Sequence, residues 1–309
     1  MAYPYLSDLI NSVLGTQIHL PIATFGSFVA LSIIVSTWVG KKEVIRFETD
    51  NILPNPARNS GTHLPAHQML NDLMFACTIS GILGARIFHI LEHPREFIDN
   101  PASLIFSNGG FSFYGGLVFA FTTGYLFLKK RSIPFAPMLD ALAPSMILGY
   151  GIGRIGCQVS GDGDWGIPAN MLLKPNWLPD WLWAQTYENN IVGVFIQAPG
   201  VYPTPLYEIF MAFCIFSVLW LFRKRPYTKG YIFSIYLVLS GFERLLIEKI
   251  RVNSQYTFLD VDFTQAELIS TLLILIGLYI ILQSSKTKYT SKVIFSILVF
   301  GALSACSKL

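Results

Sequence analysis

The sequence predicts an all-α polytopic membrane protein: seven transmembrane helices, the N-terminus outside, and a small extracytoplasmic head or arm. Three observations carry this. Of 309 residues, 52% are hydrophobic and only 13% are charged, where an average soluble domain carries roughly 25% charged residues. Seven stretches are each apolar enough, over about 20 residues, to cross a bilayer. The basic residues alternate between successive loops. The same composition is too apolar for disorder. Cys77, Cys157, Cys214 and Cys306 are too few and too widely spaced for a disulfide scaffold. A formal net charge of +3, with no long basic stripe, argues against nucleic acid as a partner.

The elements follow in order. Residues 1–17 lack a basic n-region and a small-residue cleavage site, so they read as a short surface segment rather than a signal peptide. The spans lie near 18–40, 66–91, 110–128, 134–156, 203–222, 229–250 and 265–283. Gly and Pro in the first and fourth are tolerated in buried membrane helices. Together, 18–283 form a transmembrane domain, from which 157–202 emerge as an external segment bearing Trp165, Trp177, Trp181 and Trp183. Lys41, Lys42, Arg46 and Arg58 follow the first span, and Lys129, Lys130 and Arg131 the third. Arg223, Lys224, Arg225 and Lys229 follow the fifth, and Lys286, Lys288, Lys292 and Lys308 the seventh. The other loops hold only Arg95, Lys174, Lys249 and Arg251. The excess of basic residues on one set of loops places that set inside.

Three basic residues remain, each toward the outer end of a span: Arg86, Arg154 and Arg244. An arginine within a span costs a few kcal/mol unless it reaches the interface or a partner. One reading is snorkelling or a structural ion pair; the other is a shared anionic ligand. The planar guanidinium fork matches phosphate, which points the second reading to a phospholipid head group. Arg244, Glu248 and Arg251 stand four and three apart and so share a helix face. Glu243 points away from that face, toward another element. Asp72 and Asp140, at the cytoplasmic ends of spans two and four, read as structural.

Residues 149–166 are rich in glycine. Gly149, Gly153 and Gly156 have the spacing of a small-residue packing seam. The second half of the stretch reads as a non-helical, polar loop whose amides, with Arg154, suit a phosphate. Gly109, Gly110, Gly115 and Gly116 flank Tyr114 at the entry to span three, where a tyrosine also serves as an interfacial anchor. Tyr202-Pro203-Thr204-Pro205-Leu206-Tyr207-Glu208 opens span five and puts Glu208 one turn inside it.

Taken together, these motifs resemble the prolipoprotein diacylglyceryl transferase family. Gly153-Arg154-Ile155-Gly156, with a following Gly-Asp and Trp165-Gly166, is similar to its signature. Gly84-Ala85-Arg86, the element Gly109 to Gly116, Leu206-Tyr207-Glu208, and Arg244 with Glu248 and Arg251 match further family motifs in order, over about 18–283. The resemblance implies transfer of the diacylglyceryl group of phosphatidylglycerol to the lipobox cysteine of prelipoprotein signal peptides. A thioether forms and sn-glycerol 1-phosphate leaves, with no metal or cofactor, among membrane lipids at the outer face of a bacterial inner membrane. It also implies that Arg154 and Arg244 hold the phosphate. Arg86, Gly109, Gly110, Gly115, Gly153, Gly156, Asp162, Tyr207, Glu208, Glu248 and Arg251 would line the substrate site.

The sequence departs from the family where the chemistry would lie. Tyr114 stands in place of the histidine proposed to deprotonate the thiol. With pKa values near 10 for tyrosine and 8.5 for a thiol, a neutral tyrosine is a poor base. His89 and His93, three and seven residues after Arg86, are substitutes. Cys157 and Gln158 replace the usual Asn-Phe, and the loop is one residue longer. Ser240 stands where tyrosine is common, and Phe25 lacks a tyrosine hydroxyl. Two alternatives therefore stay open: a phosphatidylglycerol-binding relative with another acceptor, and a non-catalytic lipid-binding or transport protein. Residues 284–309 read as a basic linker followed by a short apolar, lipobox-like tail that contains Leu303-Ser304-Ala305-Cys306. Either it is a chance string, or it is a built-in acceptor or competitor.

Overall fold

In an apolar solvent a chain must satisfy its own backbone hydrogen bonds, and an isolated segment can do so only as a helix. The apolar runs accordingly fold as helices in the computed structural model, which describes residues 1–54, 65–106, 112–224, 228–253, 255–258 and 261–284. Gly109, Gly110 and the Leu303–Cys306 tail lie outside the described residues. In chain order the helices are α1 (Leu6–Leu14), α2 (Thr24–Thr49), α3 (Ala66–Glu92), α4 (Pro94–Asp99), α5 (Pro101–Phe106) and α6 (Phe113–Lys130). There follow α7 (Phe135–Ser160), α8 (Asp180–Trp183), α9 (Thr204–Phe222), α10 (Tyr231–Glu248) and α11 (Gln265–Ser284). Four helices, Ala66–Glu92, Phe135–Ser160, Thr204–Phe222 and Gln265–Gln283, are long and apolar enough to cross a membrane. Helices α2, α6 and α10 lie where the other three spans are expected. The protein is a mostly helical membrane protein.

The described chain divides into two compact units, Met1–Ser36 with Ala143–Leu309, and Thr37–Leu142. In the second, Val44, Leu53, Met69, Leu70, Leu128 and Met138 form a closed apolar core. There α3 crosses α6 with the backbones in contact. A Cβ on Gly84 would lie 2.5 Å from the Gly115 carbonyl oxygen, and one on Gly115 would lie 2.3 Å from that of Gly84. This close approach is reason enough for glycine at both positions. In the first unit, Ile147, Ala212, Leu219, Ile232, Val238 and Ile281 build a core from α7, α9, α10 and α11.

Two details differ from the sequence reading. The non-helical loop expected after Gly156 begins later: α7 runs on through Cys157 and Gln158 to Ser160 and ends at Gly161, whose φ of +62° favours glycine. Polar residues there stay helical because they hold the next segment: Gln158 donates to Gln185 (2.7 Å) and accepts from the Tyr187 hydroxyl (2.8 Å). The N-terminal segment is pinned to the rest of its unit. Ala2 N donates to the Glu188 carbonyl (2.6 Å) and Tyr3 N to that of Val159 (2.7 Å). A two-stranded antiparallel hairpin, β1 (Gln255–Phe258) and β2 (Val261–Thr264), precedes α11 and was not expected of an all-α chain.

Candidate active site

Three stretches of the first unit, α7, α10 and the residues just beyond α10, converge on one buried carboxylate of a fourth, α9. Glu208, in the first turns of α9, has 0% exposure. Burying an unpaired charge is costly, so such a group persists only with partners. Arg154 from α7 places Nε 3.2 Å from its Oε2. Arg244 from α10 places Nη1 3.6 Å from Oε1, and Arg251, just beyond α10, places Nη1 3.5 Å from the same oxygen. The hydroxyl of Tyr150, one turn before Arg154, donates to Oε1 at 3.0 Å. Arg244 also pairs with Glu248 one turn on (2.9 Å), and Asn253 donates to the other Glu248 oxygen at 2.6 Å.

The loop after α7 closes the network. Gly166 N donates to the Tyr202 carbonyl (2.9 Å) and Ile167 N to that of Ile250 (2.8 Å), while the Thr204 hydroxyl donates to the Asp164 carbonyl (2.5 Å). So anchored, the Asp164 carboxylate bridges Arg154 and Arg251. Burial alone would raise its pKa, but the two guanidiniums outweigh burial and hold it below the usual carboxylate range. Asp162 shows the opposite balance: burial dominates and raises it, beside the Cys157 thiol. Cys157, Asp162 and Asp164 stand close enough together to suggest a metal cage. Two guanidiniums already occupy Asp164, so a cation is disfavoured there.

The network is not fully satisfied. Arg154 Nε and Glu208 Oε2 approach closely but off the hydrogen-bond axis. Both are buried without a hydrogen-bond partner among the described residues, as is Glu248 Oε2. Tyr150 has one hydroxyl proton and two carboxylate neighbours, Glu208 at 3.0 Å and Glu243 at 3.2 Å. Both contacts are full hydrogen bonds only when one carboxyl is protonated. Arg244 is the most accessible of the three arginines, its side chain 26% exposed against 16% for Arg154 and 13% for Arg251. Beside Arg154, a Cβ on Gly153 would meet nothing within 4 Å, so the backbone there faces open space.

The chain matches the prolipoprotein diacylglyceryl transferase family over residues 13–283. It belongs to that family. It is 29% identical to the phosphatidylglycerol–prolipoprotein diacylglyceryl transferase of Lysinibacillus sphaericus over 84% of this chain and 86% of the relative. It is 28% identical to the enzyme of that name from Leptospira interrogans, over 91% and 94%. The namesake from Staphylococcus xylosus is 32% identical, over 72% and 76%.

Within this transferase fold, the structure brings together Arg154, Arg244, Glu208, Glu248 and Arg251 of the residues singled out in the sequence. In the loop the ion-pairing carboxylate is Asp164, which the sequence reading did not single out. Tyr150 went unnoticed, although its place one turn before Arg154 was a usable signal. Glu243 does point to another element, as expected: it reaches α7 through Tyr150. Tyr207 donates its hydroxyl to the Leu182 carbonyl (2.7 Å), fastening the segment after α7 to α9. Gly156 is a packing residue, since a Cβ there would lie 2.9 Å from that of Phe28. Arg86, His89, Tyr114 and Gly115 belong to the other unit, Thr37–Leu142. There His89 is half-buried, its ring centroid 4.4 Å from that of His93.

Proposed function

We propose that this chain transfers the diacylglyceryl group of phosphatidylglycerol to the lipobox cysteine of a prelipoprotein. The cysteine sulfur forms a thioether bond to the glyceryl carbon. The carbon–oxygen bond to phosphate breaks, and sn-glycerol 1-phosphate leaves with the electron pair. The observation that carries this reading is the gathering of Arg154 and Arg244 on one buried carboxylate, Glu208. A guanidinium has five N–H donors, and the carboxylate contacts of Arg244 engage two of its nitrogens. The carboxylates hold the guanidiniums in place, so little order is lost when a phosphate engages the remaining donors. Charge developing on the leaving phosphate is then stabilised by preset donors, an effect worth about 3–4 kcal/mol per donor in comparable sites.

In this reading Arg154 and Arg244 contact the phosphate, while Arg251, Glu248, Asp164 and Glu208 position them. Arg86, Gly153, Asp162 and Tyr207 line or frame the lipid site, with Gly153 facing open space. His89 accepts the thiol proton, and the Tyr114 hydroxyl orients the thiol. The reaction runs at the outer leaflet of a bacterial inner membrane, in a seven-span protein with its N-terminus outside. The family's match to the chain and the alternation of basic loops support this placement.

Purified protein mixed with phosphatidylglycerol vesicles and a lipobox peptide should yield thioether-linked diacylglyceryl peptide by mass spectrometry. No product from folded, lipid-binding protein overturns the reading. Release of glycerol phosphate without peptide modification would instead point to another acceptor, as the Tyr114 replacement allows.

A further inference from the structure

Where α3 ends, His89, Glu92 and His93 stand within one helical turn. Residues three and four apart share a face, and two histidines at i and i+4 are a spacing with which helices chelate metal ions. One ligand atom from each of the three residues lies within 4.8 Å of the others. Ligands that each bond one ion at about 2.0–2.2 Å stand within about 4.4 Å of one another, so the three groups are already near that spacing.

Two further contacts give the cluster the character of a built site. His93 Nδ1 lies 3.0 Å from the His89 carbonyl oxygen. A carbonyl only accepts, so Nδ1 carries the proton and Nε2 keeps its lone pair for a ligand bond. Glu92 Oε1 accepts from the hydroxyl of Ser112 at 2.9 Å, and Ser112 is itself buried at the N-terminus of α6. A backbone carbonyl behind the imidazole and a hydroxyl behind the carboxylate are the supports that orient metal ligands elsewhere. The histidines are half-buried and Glu92 is exposed, so an ion has a path in.

The geometry points to a three-ligand site for a divalent transition cation of the zinc class, formed by His89, Glu92 and His93, with a fourth position open to water. Two imidazoles and one carboxylate suit zinc, nickel or copper better than magnesium or calcium. All the residues belong to the unit Thr37–Leu142, so the site does not depend on the arginine network. Its consequence for activity rests on the role proposed for His89: an imidazole bonded to a metal cannot take a thiol proton, so the cation inhibits.

The test uses untagged, chelator-washed protein in detergent, titrated with zinc chloride by calorimetry and with cobalt(II) by absorbance. One equivalent should bind to the wild type, and His93→Asn and Glu92→Gln should each weaken binding by at least about tenfold. Glu92→Gln serves if His93→Asn fails to fold. Cys157→Ser should leave binding intact. Wild-type binding no tighter than that of the variants, or binding lost in Cys157→Ser, overturns the site. In the thioether assay zinc should inhibit the wild type and spare His93→Asn, which retains His89. Equal inhibition of both overturns the coupling to His89, and the calorimetry then still decides the site.

Discussion

The arginine network and the histidine end of α3 hold polar groups in opposite ways. In the network the charges come from α7, the loop after it, α9, and α10 with its following residues, and Glu208 alone meets three arginines and a tyrosine. At the end of α3 the groups are neighbours in sequence, half-exposed, with a longer-range tie from Ser112. Removing one member of a buried network strands its partners in a medium that cannot solvate them. Removing one member of an exposed cluster lets water take its place. The first region should therefore fail as a unit and the second by degrees.

The largest expected effect tests that unity directly. Arg154→Ala and Arg244→Ala should each lower thioether formation at least about 10²-fold. Arg154→Lys should not restore it, because an ammonium cannot reproduce the guanidinium fork. Activity near wild type in either alanine variant would break the comparison. Next, Glu208→Ala should destabilise the folded protein by about 3–5 kcal/mol, the usual result of breaking a buried ion pair from one side. Glu243→Gln, which retains a group able to hydrogen-bond Tyr150, should cost less than about 1 kcal/mol. Thermal unfolding in detergent distinguishes the two.

A smaller effect separates the two aspartates of the loop. Asp164 has a lowered pKa in the folded state. Its contribution to stability is present above the unfolded value near 3.9 and is lost as pH falls through the lower folded value. Asp162 has a raised pKa, so its buried charge costs stability at neutral pH, and protonation relieves that cost. Asp164→Asn should thus lower the unfolding temperature at neutral pH and flatten its acid limb, while Asp162→Asn should leave it unchanged or higher. Smallest of all, Tyr114→Phe should slow turnover by well under the roughly 10²-fold loss that follows removal of a general base, and Tyr114→His should raise it. A loss beyond 10²-fold in Tyr114→Phe would make the phenol the base.

Much of this site was legible in the sequence because charge is conspicuous in apolar spans. Arg154, Glu208 and Arg244 each break such a span, and Glu248 and Arg251 follow Arg244 at helical spacing. Tyr150 was harder to see, since tyrosine is ordinary in membrane helices and its importance comes only from the carboxylates that α9 and α10 bring to it. The extension of α7 to Ser160 was hidden for a similar reason. Gln158 looks like a loop residue until Gln185 and Tyr187 provide its partners.

By itself the sequence determined that the chain is a helical membrane protein, because apolar runs of span length have one way to satisfy their backbone. It also determined which charged residues needed explanation, because an ion inside a span is expensive wherever it lies. Only the tertiary structure decided how those charges are matched. It assigned Asp164 rather than Asp162 to Arg154 and Arg251, and it made Glu208 the common partner of three arginines. Pairing depends on distances of a few ångströms between segments far apart in the chain, and periodicity along one helix carries no information about those.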